Sequence, residues 1–202
     1  MSTARDLMIV AADVQPSRPW EQGDLSLALA GAELTDLLAA GTVTLADVQV
    51  VPGHGTAPSD PLLEQAAASV VTEAPYESVD EWLWRRGRCL ASVYLAALEA
   101  DGQLARPRSR WTPFRTGRPV PVDSPGRHRA RDRWTSQEPV LTALAAATGL
   151  GSKEAGDDAP GGTGDAVETV VVAVHDAVRE LEAVRQRRAI EQAAFDNVWR
   201  GY

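Results

Sequence analysis

The sequence predicts a mainly α-helical protein: one compact helical domain over residues 1–202, with small β-hairpins inserted after helices. Three observations carry this. Apolar side chains recur every three or four residues, as in Leu27, Ala30, Leu34 and Leu38, and again in Val167, Val170, Val171, Val174, Val178, Leu181 and Val184. Twice a helical run reaches a glycine, Gly41 and then Gly102, and passes into a stretch that reads as a hairpin. Several runs also open on a Ser, Thr or Asp with Glu three residues on, the pattern that satisfies the free amides of a first turn.

In chain order, Leu7 to Val14 fits either a short helix or a strand, ended by Gln15-Pro16-Ser17-Arg18-Pro19. Leu25 to Ala40 reads as a helix, with Leu37 beside its apolar stripe. Thr42 to Leu45 and Val48 to Val51 alternate like two strands around Ala46-Asp47. Asp60-Pro61 supplies a cap and a first-turn proline for a helix over Leu62 to Thr72. Ser78 with Glu81 makes a capping box for Val79 to Arg86, and Leu90 to Ala100 is helical with Leu90, Val93, Tyr94, Ala97 and Leu98 at the right spacing. A longer hairpin follows, Leu104 to Trp111 against Phe114 to Val122. Thr135 with Glu138 predicts a second capping box, for Pro139 to Thr148. Residues 149–164, rich in Gly, Asp and Ala, read as a flexible surface loop. Asp165 with Glu168 caps a last helix whose outer face is charged from Arg179 to Arg188 and which Ala189 to Trp199 extends.

The hydrophobic share of 44% suits a protein with a buried core. A net charge of −8 argues against general nucleic-acid binding, which draws its affinity from cationic surface. Cys89 is the single cysteine, so neither an internal disulfide nor a thiolate metal cluster is expected. Residues 1–14 are too weakly charged and too short for a secretory signal, and no run approaches the length that spans a bilayer. A cytoplasmic protein whose membrane contact is peripheral is the expectation. Lys153 is the single lysine among many arginines, a usage that points to a bacterial source.

Charge is concentrated in one place. Arg106 to Trp134 holds nine arginines against Asp123 and Asp132, a local +7 in an acidic chain. Trp111 and Phe114 sit inside it among Pro113, Gly117, Pro119 and Pro121. A cationic, aromatic-tipped, turn-rich excursion suits an anionic partner; the competing reading is a solvated loop paired with the protein's own carboxylates.

A second cluster is Trp82-Leu83-Trp84-Arg85-Arg86-Gly87-Arg88, two indoles and three guanidiniums at a helix junction. Guanidinium forks grip phosphate oxygens bidentately. Alternatively both rings belong to the core and the arginines close a helix carboxyl end.

Catalysis finds little support. His54 lies in a turn without a nucleophile or ligand set, His175 at the edge of the valine stripe, and His128 inside the basic run. Gly149-Leu150-Gly151-Ser152-Lys153 lacks the glycine spacing of a phosphate loop, and Asp157-Asp158 lacks the ligand alternation of a calcium loop. No enzyme, metal or cofactor is expected.

Several of these residues together resemble the Golgi phosphoprotein 3-like family: Leu29 to Leu34 running through Leu37 to Gly41, Asp60-Pro61-Leu62-Leu63, Ser78-Val79-Asp80-Glu81-Trp82, Leu95 to Gly102, the basic hairpin and the final helix. The resemblance covers most of the chain. It implies a mostly helical domain that, in eukaryotic members, recognises phosphatidylinositol 4-phosphate. The family pocket uses an indole before the first helix, an arginine within that helix, and an arginine pair three residues apart later; a nearby hairpin tip enters the bilayer. Carried over residue by residue, Trp20 suits the indole, Ala30 stands at the first arginine, and Arg88 and Ala91 stand at the pair. Trp111 and Phe114 suit the tip. Two arginines are therefore replaced by alanine, with Arg85, Arg86 or the arginines of the hairpin able to compensate.

The expectation is a peripheral membrane protein that binds anionic phospholipid headgroups, phosphatidylinositol 4-phosphate among them by resemblance. Trp20, Arg85, Arg86 and Arg88 would form the headgroup site, and Arg110, Trp111, Phe114 and Arg115 the membrane-contacting hairpin. Self-association into a homo-oligomer stays open. The rival expectations are a scaffold docking on another protein and a winged-helix-like nucleic-acid binder. The latter is disfavoured because Leu25 to Ala40 carries no basic residue to enter a groove.

Overall fold

A computed structural model describes residues 2–14, 21–56, 59–106, 119–150 and 164–200. Its elements run α1 (Thr3–Asp13), α2 (Gln22–Ala39), β1 (Val43–Ala46), β2 (Gln49–Pro52), α3 (Pro61–Ala68), α4 (Val79–Arg86), α5 (Leu90–Ala100), β3 (Leu104–Ala105), β4 (Val120–Pro121), α6 (Pro125–Thr135), α7 (Pro139–Ala147) and α8 (Asp165–Arg200). The architecture is mainly α with two small antiparallel hairpins, as the sequence predicts.

Helix α2 is the axis. Its residues from Asp24 to Thr35 are buried all round, and α1, α3, α4, α5, α7 and α8 pack on it. A helix apolar on every side belongs inside a protein. Leu25, Leu29 and Leu34 join Leu7, Met8, Trp82, Tyr94 and Val174 in one hydrophobic cluster. Gly31 lets α8 approach: a Cβ there would lie 2.4 Å from a methyl of Val174. Gly41 then ends the helical run in a left-handed conformation (φ +66°), as expected.

The stretch that sequence left between helix and strand is helix α1, because nearly every residue from Thr3 to Ala12 is buried and only a helix satisfies that backbone internally. Asp36 of α2 caps it from outside, accepting from the Thr3 amide at 2.7 Å. Arg5, the one half-exposed residue of that run, bonds both Asp60 and Asp101.

β1 and β2 pair from Val43↔Pro52 to Ala46↔Gln49, with Asp47 left-handed at the turn. The outer edge of β2 bonds the chain entering α4, Val50 N to Glu77 O at 2.9 Å and Val79 N to Val48 O at 2.8 Å. Asp60 caps α3 as predicted, accepting from Leu62 N at 2.9 Å, but the helix stops at Ala68 and not at Thr72; the Ser69 hydroxyl bonds back to Ala66 O. Ser78 and Glu81 form the predicted capping box.

The basic segment differs from expectation in its last third. The ladder Leu104↔Pro121 and Ala105↔Val120 is the base of the predicted hairpin; its arms and tip, 107–118, lie outside the described residues. Residues 125–135, taken as part of the excursion, instead form α6, capped by Ser124, opened by Pro125, and packed on α1. The Thr135–Glu138 capping box is also corrected. Thr135 closes α6, its hydroxyl bonding Asp132 O, while Glu138 alone caps α7 by accepting from Leu141 N at 2.9 Å. Asp165 and Glu168 both fall within the first turn of α8.

Val170, Val171, Val174 and Ala177 bury the front of α8, and Arg185 fastens it to Asp24 of α2 at 2.8 Å. Residues 186–193 are all exposed, so the helix outruns the body. No helix among the described residues is long and apolar enough to cross a membrane.

Candidate functional site

The sharp bend between α4 and α5 brings the second cluster against the start of α2. Gly87 permits it: a Cβ there would stand 2.5 Å from Leu83 O and 3.3 Å from Ser26 O. Cys89 reverses the chain in a left-handed conformation (φ 56°) before α5 begins. The Ser26 hydroxyl of α2 accepts from the Ala91 amide at 3.1 Å and donates to Gln22 O at 2.7 Å. Gln22 in turn bonds the Ser92 hydroxyl. The first turns of α2 and α5 therefore lie side by side, with the opening amides of α5 bonded to Ser26 and to the chain at Gly87 and Cys89.

The three arginines of the cluster divide sharply. Arg86 turns inward and grips Glu33 bidentately, at 2.7 and 3.0 Å. Glu33 is fully buried, and the Tyr94 hydroxyl donates to it at 3.0 Å. Burial pushes the Glu33 carboxyl above its ordinary range against the pull of Arg86. Burial, then the same carboxylate, pushes the Tyr94 phenol far above its ordinary value. Burial alone would lower the Arg86 guanidinium, but the Glu33 bonds outweigh it and hold it raised.

Arg85 lies over the Trp82 ring, 5.2 Å from its centroid, and bonds Glu77 at 2.9 Å and Ser69 O at 3.1 Å. Arg88 sits on the bend, exposed, with no ion pair among the described residues. The indoles follow the core reading: Trp82 is buried, donating to Ala30 O at 3.1 Å, and Trp84 packs partly buried against the core.

Ala30 and Ala91, which stand where the resemblance implies arginines, are both buried in the hydrophobic cluster. The methyl groups there are part of the packing of α2 against α4 and α5. Trp20, Arg110, Trp111, Phe114 and Arg115 lie outside the described residues.

Within the basic segment the self-pairing reading holds for three arginines. Arg106 binds Glu99 at 2.5 Å, Arg127 binds Asp13 at 2.7 Å, and Arg133 binds buried Asp6 at 2.7 Å and Glu138 at 2.9 Å. Arg129 and Arg131 are exposed. His128 meets Asp123 at 2.8 Å on the surface, and His54 is exposed on its turn.

A polar cavity of about 460 Å³ opens between α1, the start of α3 and the end of α5, with Arg5, Asp60, Asp101 and Arg129 on its walls. Arg5 bonds both aspartates, and no predicted site residue lines the cavity.

Sequence reasoning missed the carboxylates of α2. Asp24, Glu33 and Asp36 each fasten a different element, α8, the α4–α5 pair and α1. The signal was available: acidic residues at positions that an all-round apolar helix must bury.

These features define a helical protein organised round a buried central helix, with no group of three or more His, Cys, Asp or Glu placed to hold a metal among the described residues. The chain belongs to the Golgi phosphoprotein 3 (GPP34) family, whose model matches residues 4–193. No curated protein and no solved structure matches it.

Proposed function

We propose that this protein, acting as one domain, is a peripheral binder of anionic phospholipid headgroups, and that the α4–α5 bend is its headgroup site. The observation that carries this is Arg88: an exposed guanidinium without a carboxylate partner among the described residues, set where α2 and α5 start side by side. Family membership supports the same reading. Arg88 meets a phosphate oxygen.

Arg85 is 43% exposed in its side chain, but its charge is balanced by Glu77, so it contributes only by exchanging that partner for a phosphate oxygen. Arg86 supports the site from behind, since releasing it would strand buried Glu33. Trp20, six residues before Ser26 in sequence, flanks the pocket in this proposal, and Arg110, Trp111, Phe114 and Arg115 approach the bilayer. With alanine at 30 and 91, the site favours anionic headgroups broadly and phosphatidylinositol 4-phosphate without strict selectivity.

Flotation with phosphatidylcholine vesicles, plain or containing phosphatidylserine or phosphatidylinositol 4-phosphate, tests this. The wild-type chain is expected to float with the anionic vesicles, and Arg88→Glu to lose at least about tenfold in affinity, from one positive charge removed and one negative charge added near the surface. A wild-type chain that stays with the buffer in every case refutes the proposal.

A further inference from the structure

We infer that the outer face of α5 lies against the anionic lipid surface, with Arg88 at its leading end. This rests on the lipid-binding reading above and adds which side of the protein meets the bilayer. Cys89, Ser92, Val93, Ala96 and Ala100 are all exposed, and their spacing places them along one side of the helix. None of them is charged, and Val93 alone is 41% exposed. On a chain of net charge −8 with 28 acidic residues, an outward helix face without a single charge stands apart from the rest of the surface.

The ends of the strip point the same way. At its far end Glu99 is bound to Arg106 at 2.5 Å, and Asp101 shares the Arg5 guanidinium, at 2.7 Å, with Asp60. At its near end Arg88 is unmatched among the described residues. The strip therefore offers an anionic surface apolar contact with an unmatched guanidinium at the end that leads. A second copy of the chain is a poorer occupant. Side chains of Ser, Val and Ala on three turns fall far short of the roughly 800 Å² per partner that a stable interface buries, whereas a membrane adds its contacts to those of the neighbouring site.

The test uses the full chain and the same vesicles. Val93→Glu with Ala96→Glu puts two negative charges on the strip without touching Arg88, and is expected to weaken binding to phosphatidylserine vesicles about 30-fold, roughly fivefold per charge. Val48→Glu, equally exposed on the β1–β2 turn, is expected to bind as the wild type does. An environment-sensitive dye on Cys89 of the otherwise unaltered chain gives a reading independent of either substitution: its emission is expected to shift to the blue with anionic vesicles. If the wild type floats and Arg88→Glu does not, yet the double variant floats equally well or the dye is unmoved, the strip is not the contact while the headgroup site stands. If the double variant converts an oligomer to monomer on a sizing column, the strip belongs to a second copy and the inference falls. Failure of the wild type to float removes the headgroup proposal and this inference together.

Discussion

Helices α2 and α5 lie side by side and break the usual distribution of charge in opposite directions. α2 carries Asp24, Glu33 and Asp36 into the interior, while α5 turns Ser92, Val93 and Ala96 outward. Buried charge is costly unless matched, and each acid of α2 is matched by a different neighbour: a guanidinium of α8, a guanidinium of α4, the amides of α1. The charges of α2 therefore specify which elements surround it. The bare face of α5 has no such internal account, which is why it calls for something outside the chain. Arg86 and Arg88, two positions apart, show the same division within one turn of backbone.

Four measurements would break or sharpen that contrast. The largest effect is expected from Arg86→Ala, which strands Glu33 in the core; a loss of about 3–5 kcal/mol in urea unfolding is expected. Replacing the whole buried set, Arg86→Met with Glu33→Leu and Tyr94→Phe, should recover most of it, and a triple variant as unstable as the single one would refute the view of the pair as matched charges. Next, Gly31→Ala places a methyl against Val174 where α2 meets α8, and should cost about 1–3 kcal/mol. An unchanged unfolding midpoint would show that α8 can move aside and that α2 is less enclosed than its burial implies.

The third concerns pH. Burial raises the Asp36 carboxyl above its ordinary value of 3.8 despite the Thr3 and Ala4 amides that bond it. Folding therefore favours its neutral form. The stability this contributes is full below the ordinary carboxylate value and is lost as pH rises through the raised one. Asp36→Asn keeps an acceptor for Thr3 and should flatten that part of the profile of unfolding midpoint against pH; an unaltered slope would count against it. The smallest effect is expected on α5. Val93→Glu should change unfolding stability by no more than about 0.5 kcal/mol, since an exposed helical position tolerates either residue. A loss of several times that would mean Val93 supports the core.

Much of the fold could be read from sequence because its signals are local. Gly41 and Gly102, the Ser78 box and the Asp60 cap each declare themselves within four residues. What failed depended on distant partners. Residues 125–135 look like a charged loop until Asp6 and Asp13 of α1 are found opposite Arg133 and Arg127. The same holds for Thr135: its spacing from Glu138 is right for a box, but α6 had already claimed it. At the candidate site, the sequence drew attention to Trp82 through Arg88 without dividing the arginines by role. That division depends on Glu33 and Glu77, far from Arg86 and near Arg85 in sequence, and on burial that no spacing reveals.

Arg5 holds a wider consequence. Its one side chain ties residue 5 to residues 60 and 101, across 55 and 96 positions of chain. Those two contacts sit at the start of α3 and the end of α5, so neither helix terminus can leave α1 without letting go of the same guanidinium. The amino-terminal turn thereby adds a tie between distant stretches to the one they share through the core, and α1, α3 and α5 should melt in a single transition.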